Sequence, residues 1–385
     1  MKNANWLRSS MFHEGVSLRN LALKRIQTTK LALTSTEFAV LKTEVDNIGS
    51  ELFQGLYAAI LGKRLYKSCK KATDNGQHVN NSDFIQIRFA QRMPVSLALG
   101  YLYGMELSKL FGCSPSSSKR AAWSCALAHA TGSLFDIILD STPHLFSQAA
   151  KISFESLKRT FSSLSHHDKS SRDIEWDSVN PILESFNRTA RAFGDCIARV
   201  RESGPCDIIN ALHRTILDCL TAEIPRGFES FAQEQRYSAV YDYLRTRNSV
   251  PFWAESLLCM AHANHVIDFS SKRLKRTILS FGDIFWVVDD ITDFAEDLLL
   301  RHWNYLTLEL ANASGEHLCE RPPGPDDHRW MYSDILRRDL IVKSVGHITH
   351  GLHTIEAQYN SARKSSERIR KLVGYHIYSN WARHN

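Results

Sequence analysis

Apolar residues recur every three or four positions along most of the 385 residues, and the period-two alternation of a strand is nearly absent. The pattern predicts one or two helices over 36–71 and a polar loop over 72–82. A further helical region over 83–111 is broken near Pro94 and closed by the Gly/Ser-rich stretch 112–118. An apolar helix follows at 119–140, then a serine-rich loop at 162–171 whose His166 and His167 read as solvent-exposed. Residues 177–222 read as helical with a break at Gly204–Pro205, and 228–246, 251–267 and 271–300 as three more helices. A kink separates 303–313, a loop covers 320–327, and a long terminal helix over 330–378 is interrupted near Gly351. With few glycines and prolines and no repeat or composition shift, the expectation is one all-α domain over 1–385. About ten or more helices would surround a central apolar cavity.

Composition narrows the classes. A hydrophobic fraction of 43% is enough for a substantial core. The net charge of +6 is dispersed, with no basic stripe interleaved with aromatics, which argues against nucleic acid as a partner. The eight cysteines show no Cys-x-x-Cys pair and no metal-type Cys/His spacing, and several sit in apolar helical stretches as small hydrophobes. The N-terminus lacks the apolar core of a signal peptide, and no run of about 18 apolar residues suggests a membrane span. The expectation is a soluble, cytoplasmic protein.

The stretch 281–297, Phe-Gly-Asp-Ile-Phe-Trp-Val-Val-Asp-Asp-Ile-Thr-Asp-Phe-Ala-Glu-Asp, changes the picture most. On a helix, Asp289, Asp293 and Asp297 fall on one stripe. No lysine or arginine lies between Ile278 and Leu300 to offset their repulsion. Hard divalent cations with oxygen ligands are natural partners for such a stripe; a solvated acidic face is the plainer alternative. Phe285, Trp286, Val287 and Val288 run straight into the acidic group, which favours carboxylates at the rim of an apolar cavity. A second apolar run, 123–140, ends in Asp136 and Asp140, again spaced i, i+4. Two such helices facing one another could hold Mg²⁺, which commonly bridges one or two carboxylates to substrate phosphates.

Here the residues resemble a known family. Phe285-Trp-Val-Val-Asp-Asp-Ile-Thr-Asp293 is similar to the second aspartate-rich motif of the trans-isoprenyl diphosphate synthases, and 128–140 stands, in degenerate form, in the place of their first motif. The likeness spans roughly 83–310, and the separation of the motifs, about 150 residues, is similar to the family's. The departures matter as much. The Gly-Lys-x-x-Arg-Pro element has no counterpart in register: Arg88 and Arg92 lie near Met93-Pro94, and Gly62-Lys63-Arg64 lies 73 residues before Asp136. No arginine pair follows Asp140, and the usual Lys-Thr is replaced around Ser249-Val250. The resemblance therefore implies a class I terpene synthase of the class IB type. It would keep the allylic-diphosphate and metal machinery and lose the site for isopentenyl diphosphate.

That resemblance assigns roles. Asp136 and Asp140 would form one side of a cluster of three Mg²⁺ ions, and Asp289, Asp293 and Asp297 the other. Asp290 would act behind them, because it points about 100° away from Asp289 on the helical wheel. Arg245 and Arg247, 44 and 42 residues before Asp289, sit where terpene synthases carry a diphosphate-sensing arginine. Arg301 and Arg92 are further diphosphate candidates. Phe135, Phe285 and Trp286 could line the pocket and stabilise a cation, or simply pack in the core. Thr131 and Gly132, small residues before the first motif, would leave the tail pocket open to a C20 or C25 prenyl diphosphate.

Three other readings stay open: a chain-elongating prenyltransferase, a non-catalytic subunit of a heteromeric synthase, and an unrelated helical binding protein. A homodimer is compatible with all of them.

Overall fold

In the computed structural model the described residues are 15–56, 81–141, 181–222, 236–263, 270–300, 302–314, 334–358 and 363–381. Among them there are helices and turns and no strand. After a helical segment at 15–26 come α1 (Ser35–Leu56), α2 (Asn81–Leu110), α3 (Pro115–Ser141), α4 (Pro181–Ser203), α5 (Cys206–Ala222) and α6 (Arg236–Asn248). They continue as α7 (Val250–Ala261), α8 (Lys272–Leu300), α9 (Tyr305–Ser314), α10 (Asp334–Gln358) and α11 (Arg363–Trp381). The protein is all-α, as its periodicity predicts. None of the described helices is long and apolar enough to cross a membrane.

The chain gathers into two compact units interleaved in sequence. One comprises 1–38, 218–253 and 270–385, the other 39–217 and 254–269. In the first, α8 is the hub and packs against α6, α9, α10 and α11. Ile284, Val287, Val288 and Ile291 are fully buried along it. In the second, α2 and α3 pack most extensively and α4 lies on α3.

Several boundaries differ from the pattern, each for a local reason. Helix α2 runs through Pro94 without a break. The packing of α2 on α3 outweighs the roughly 3 kcal/mol that an interior proline costs. Helix α3 begins at Pro115, four residues before the predicted start. Ser114 caps it by accepting the Ser117 N–H at 3.3 Å, and proline suits the first helical position. Gly351 does not interrupt α10. A Cβ there would lie 2.9 Å from Ile284 Cγ1 and 3.1 Å from the Ser280 carbonyl, so this glycine lets α10 close onto α8. The segment 15–26, for which the pattern predicted nothing, is helical. The predicted loops at 72–82, 162–171 and 320–327 fall wholly or mostly outside the described residues.

Candidate functional site

Helix α8 is built to present carboxylates in different settings. Ser271 caps its start, accepting the Leu274 N–H at 3.4 Å. Its apolar stripe then buries against α10 and α11, and Val288's carbonyl accepts the Trp381 indole N–H at 3.1 Å. With that face fixed, Asp289 is exposed, and Asp293 and Asp297 are half-buried. Asp290 is turned inward, 8% exposed.

Asp290 holds the α8–α9 corner together. Its Oδ2 accepts the Trp286 indole N–H at 2.5 Å and also the backbone N–H of Tyr305. Asn304 is the N-cap of α9: its Oδ1 accepts from Thr307 N at 2.8 Å, while its own N–H donates to Thr307 Oγ1 at 2.8 Å. The Asn304 amide also donates to the Asp290 carbonyl at 3.4 Å and to Asp297 Oδ2 at 2.9 Å. Burial pushes the Asp290 carboxyl well above the usual carboxylate range, and Asp297 and Asp289 add to it. The Tyr305 N–H and Arg247 pull the other way. Asp297 is thus drawn into the corner, whereas Asp289 and Asp293 remain one turn apart on the accessible side.

The two aromatic candidates part company. Trp286 is buried among Tyr241, Tyr305 and His347, with ring centroids 5.5, 5.7 and 6.5 Å away. Phe285 lies on another face, 5.0 Å from Phe252 and 4.3 Å from His376.

Arg245 is committed to an acid within its own unit. Its Nε and Nη2 donate to Asp283 Oδ1 and Oδ2 at 3.2 and 3.1 Å, and Ser249 Oγ donates to Oδ1 at 2.6 Å. Gly282 permits this junction, because a Cβ there would meet Ser249 Cα at 2.4 Å. Arg247 is half-buried and close enough to Asp290 to lower its pKa. Arg92 is exposed on α2, and Arg301 lies outside the described residues.

One basic residue escaped the sequence reading. Arg19, in the helical segment 15–26, is 6% exposed, and its Nε has no hydrogen-bond partner among the described residues. Burial lowers its pKa, and the Asp293 carboxylate raises it in part. The signal was present: Leu18, Ala22 and Ile26 form a buried stripe, and an arginine beside it at position 19 is out of place unless an anion receives it. The first unit therefore supplies a cation near the acidic stripe, whose own stretch between Ile278 and Leu300 has none.

In the second unit, Asp136 and Asp140 lie on the last turns of α3, one turn apart by register. Phe135 is buried and stacks on Phe186 at 5.8 Å. Thr131 is buried with its hydroxyl donated to the Leu127 carbonyl at 2.7 Å. Gly132 is exposed, and among the described residues a Cβ there would meet nothing within 4 Å.

Among the described residues no group of three His, Cys, Asp or Glu side chains converges to hold a metal by itself. The donor chemistry nevertheless fits Mg²⁺. That ion binds through one or two carboxylates and completes its shell with water and phosphate oxygens, and Asp289 and Asp293 offer such a pair.

No protein-family model matches the chain, and no curated protein matches it in sequence. Solved structures to which it is similar include linalool/nerolidol synthase from Streptomyces clavuligerus, at 13% identity and a TM-score of 0.39 over 83% of this chain and 96% of that one. The T. brucei farnesyl diphosphate synthase gives 10% identity and a TM-score of 0.42 over 90% and 99%. A polyprenyl synthase from Caulobacter crescentus CB15, solved with calcium and isoprenyl diphosphate, gives 12% and 0.40 over 97% of both chains.

Proposed function

We propose that this protein is a Mg²⁺-dependent class I terpene synthase. It would ionise a linear prenyl diphosphate, C20 or C25, and cyclise it with release of diphosphate. The observation that carries this reading is the division of labour on α8. Asp290 is sequestered at the α9 N-terminus, which leaves Asp289 and Asp293 one turn apart on the accessible face. A purely solvated acidic face would not need a buried arginine, Arg19, near enough for the Asp293 carboxylate to raise its pKa.

Asp289 and Asp293 would hold metal in the first unit, and Asp136 and Asp140 are the candidate carboxylates of the second. Bound Mg²⁺ would supply Lewis-acid stabilisation of the departing diphosphate. The chain's own part is to orient and to shield. Arg247 and Arg19 would place positive charge where the phosphate oxygens gather charge. Arg245, held by Asp283 and Ser249, would fix the end of α6 on which Arg247 sits. Phe135 and the apolar face of α3 are the second unit's candidates for keeping water from a cation.

The test is incubation of the purified protein with Mg²⁺ and each of the C10 to C25 prenyl diphosphates, with and without isopentenyl diphosphate, followed by mass spectrometry. Release of diphosphate with a hydrocarbon or alcohol product is expected without isopentenyl diphosphate. A longer prenyl diphosphate would instead make the protein a chain elongase.

A further inference from the structure

One carbonyl in the first unit carries more hydrogen bonds than a helix alone gives it. The Val288 oxygen lies in the middle of α8, and by helical register the Thr292 N–H donates to it. The Thr292 hydroxyl donates to the same oxygen at 2.9 Å, and the Trp381 indole N–H at 3.1 Å. A carbonyl oxygen has two lone pairs, so these donors oversubscribe it. The indole is not free to turn away. Ile369, Val373, Ile377 and Trp381, at every fourth position, form a buried stripe of α11, which packs on α8. Val288 is fully buried as well, so water does not compete for the oxygen. The bond that gives is the intrahelical one, and the carbonyl tilts out towards α11.

The position of this oxygen is as telling as its load. Val288 and Thr292, the residues joined by the extra bond, stand immediately before Asp289 and Asp293. The peptide unit is planar, so the Val288 carbonyl and the Asp289 N and Cα move as one body. A threonine hydroxyl bonded back to the i−4 carbonyl bends a helix, as does a side chain inserted into its ladder. The direction of the bend follows from the register. Asp289 and Asp293 lie about 100° and 140° around α8 from Val288. Most surface helices curve convex to water, because their solvent-side carbonyls tilt out. Here a carbonyl on the buried side tilts out, so the accessible side becomes the concave one and the two carboxylates on it draw together. Mg²⁺ demands near-ideal octahedral geometry, which makes its affinity sensitive to that spacing.

Resting on the class I reading, we propose that Trp381 and Thr292 are positioning residues for the Asp289–Asp293 pair. Their two bonds to the Val288 carbonyl set the local bend of α8, and with it the spacing at which the carboxylates meet a divalent cation. The last residue of α11 thereby tunes metal affinity from the far side of α8. Packing alone would be served by phenylalanine at 381 and valine at 292, neither of which needs an acceptor.

The experiment compares wild type, Trp381→Phe, Thr292→Val, Thr292→Ser and the double variant Trp381→Phe/Thr292→Val in the full chain. Calorimetry with inorganic diphosphate reads the Mg²⁺ concentration at which binding is half-maximal. Thermal melting and kcat at saturating Mg²⁺ are read beside it. Trp381→Phe and Thr292→Val should each raise that Mg²⁺ concentration by about tenfold, with kcat at saturating Mg²⁺ largely kept. Thr292→Ser, which retains the hydroxyl, should return most of the affinity. Because both bonds end on one oxygen, the double variant should lose less than the product of the two single losses. If Trp381→Phe does not fold, Thr292→Val and Thr292→Ser carry the test. A folded Trp381→Phe or Thr292→Val protein with the wild-type Mg²⁺ dependence, whatever its Tm, overturns the proposal and leaves the class I reading standing. Wild type that binds no inorganic diphosphate at any Mg²⁺ concentration overturns the class I reading, and this inference with it.

Discussion

Trp286 and Asp290, one turn apart on α8, are joined by an indole N–H to carboxylate hydrogen bond of 2.5 Å, and the same carboxylate oxygen receives the first N–H of α9. The consecutive residues Asp289 and Asp290 thus have separate duties. Asp289→Ala and Asp293→Ala should each lower turnover at least about a hundredfold with helicity and melting unchanged. Asp290→Ala should instead lower stability by about 1–3 kcal/mol for each donor left unpaired, read as a fall in Tm. Full activity in Asp289→Ala would remove the central claim.

Metal removal gives an independent check. Chelation should abolish diphosphate release, and added Mg²⁺ should restore it, because the accessible carboxylates would bind substrate phosphates through the ion. Turnover that survives exhaustive chelation would exclude the proposed role of the α8 stripe.

The two arginines at the end of α6 should separate stability from catalysis. Arg245 neutralises Asp283, which is 6% exposed, so Arg245→Ala leaves a buried carboxylate with Ser249 alone. It should destabilise by about 2 kcal/mol, allowing for the partial exposure of the arginine. Arg247→Ala should raise the KM for the prenyl diphosphate. The reverse assignment, Arg245→Ala changing KM with no shift in Tm, would exchange their roles.

How far these assignments could be read in advance depended on the kind of signal. The stripe of Asp289, Asp293 and Asp297 is local, set by 3.6 residues per turn, and α8 carries all three, with Asp297 engaged by Asn304. The partners of that stripe are not local. Arg19 is 274 positions from Asp293, and only burial of its helix brings the two together. Asp283 looked like one more acid in an apolar run, because the Arg245 and Ser249 that satisfy it lie on a different helix or its cap. Pro94 and Gly351 misled for a related reason. Local rules make both of them breaks, yet helix packing carries α2 and α10 straight through.

Acid sensitivity should be traceable to His262, at the end of α7. Burial, with Arg120 adding to it, lowers its pKa from 6.5 to about 4. The unfolded histidine binds a proton near 6.5, and the folded one stays neutral down to about 4, so the unfolded state holds more protons in that window. Its contribution to stability is present above pH 6.5 and is lost as pH falls through about 4. Urea denaturation at several pH values should show wild type losing more stability than His262→Gln across that range. Parallel curves for the two proteins would rule this out.

Isopentenyl diphosphate should be neither bound nor consumed. No arginine pair follows Asp140, and the Lys-Thr element is replaced at Ser249, whose hydroxyl is spent on Asp283. Calorimetric titration with isopentenyl diphosphate and Mg²⁺ should give no heat of binding. Micromolar binding would move the elongase reading to first place.

Substrate length should be set beside Gly132. The position is exposed, and among the described residues a Cβ built there meets nothing within 4 Å, so no described side chain blocks the space next to α3 at this level. Each methylene of a longer tail gains about 0.8 kcal/mol when buried, which favours C20 or C25 over C10 or C15 as long as the space stays open. Gly132→Ala is the control. It fills little of the space, removes the conformational cost of a helical glycine, and should raise stability by up to about 1 kcal/mol without changing length preference. Gly132→Phe should fill the space and shift kcat/KM towards shorter substrates while the melt stays at or above wild type. Competition among C10, C15, C20 and C25 substrates reads both variants at once. Efficient turnover of C15 by the wild type with none of C20 would refute the open-space argument while leaving the carboxylate assignments on α8 intact.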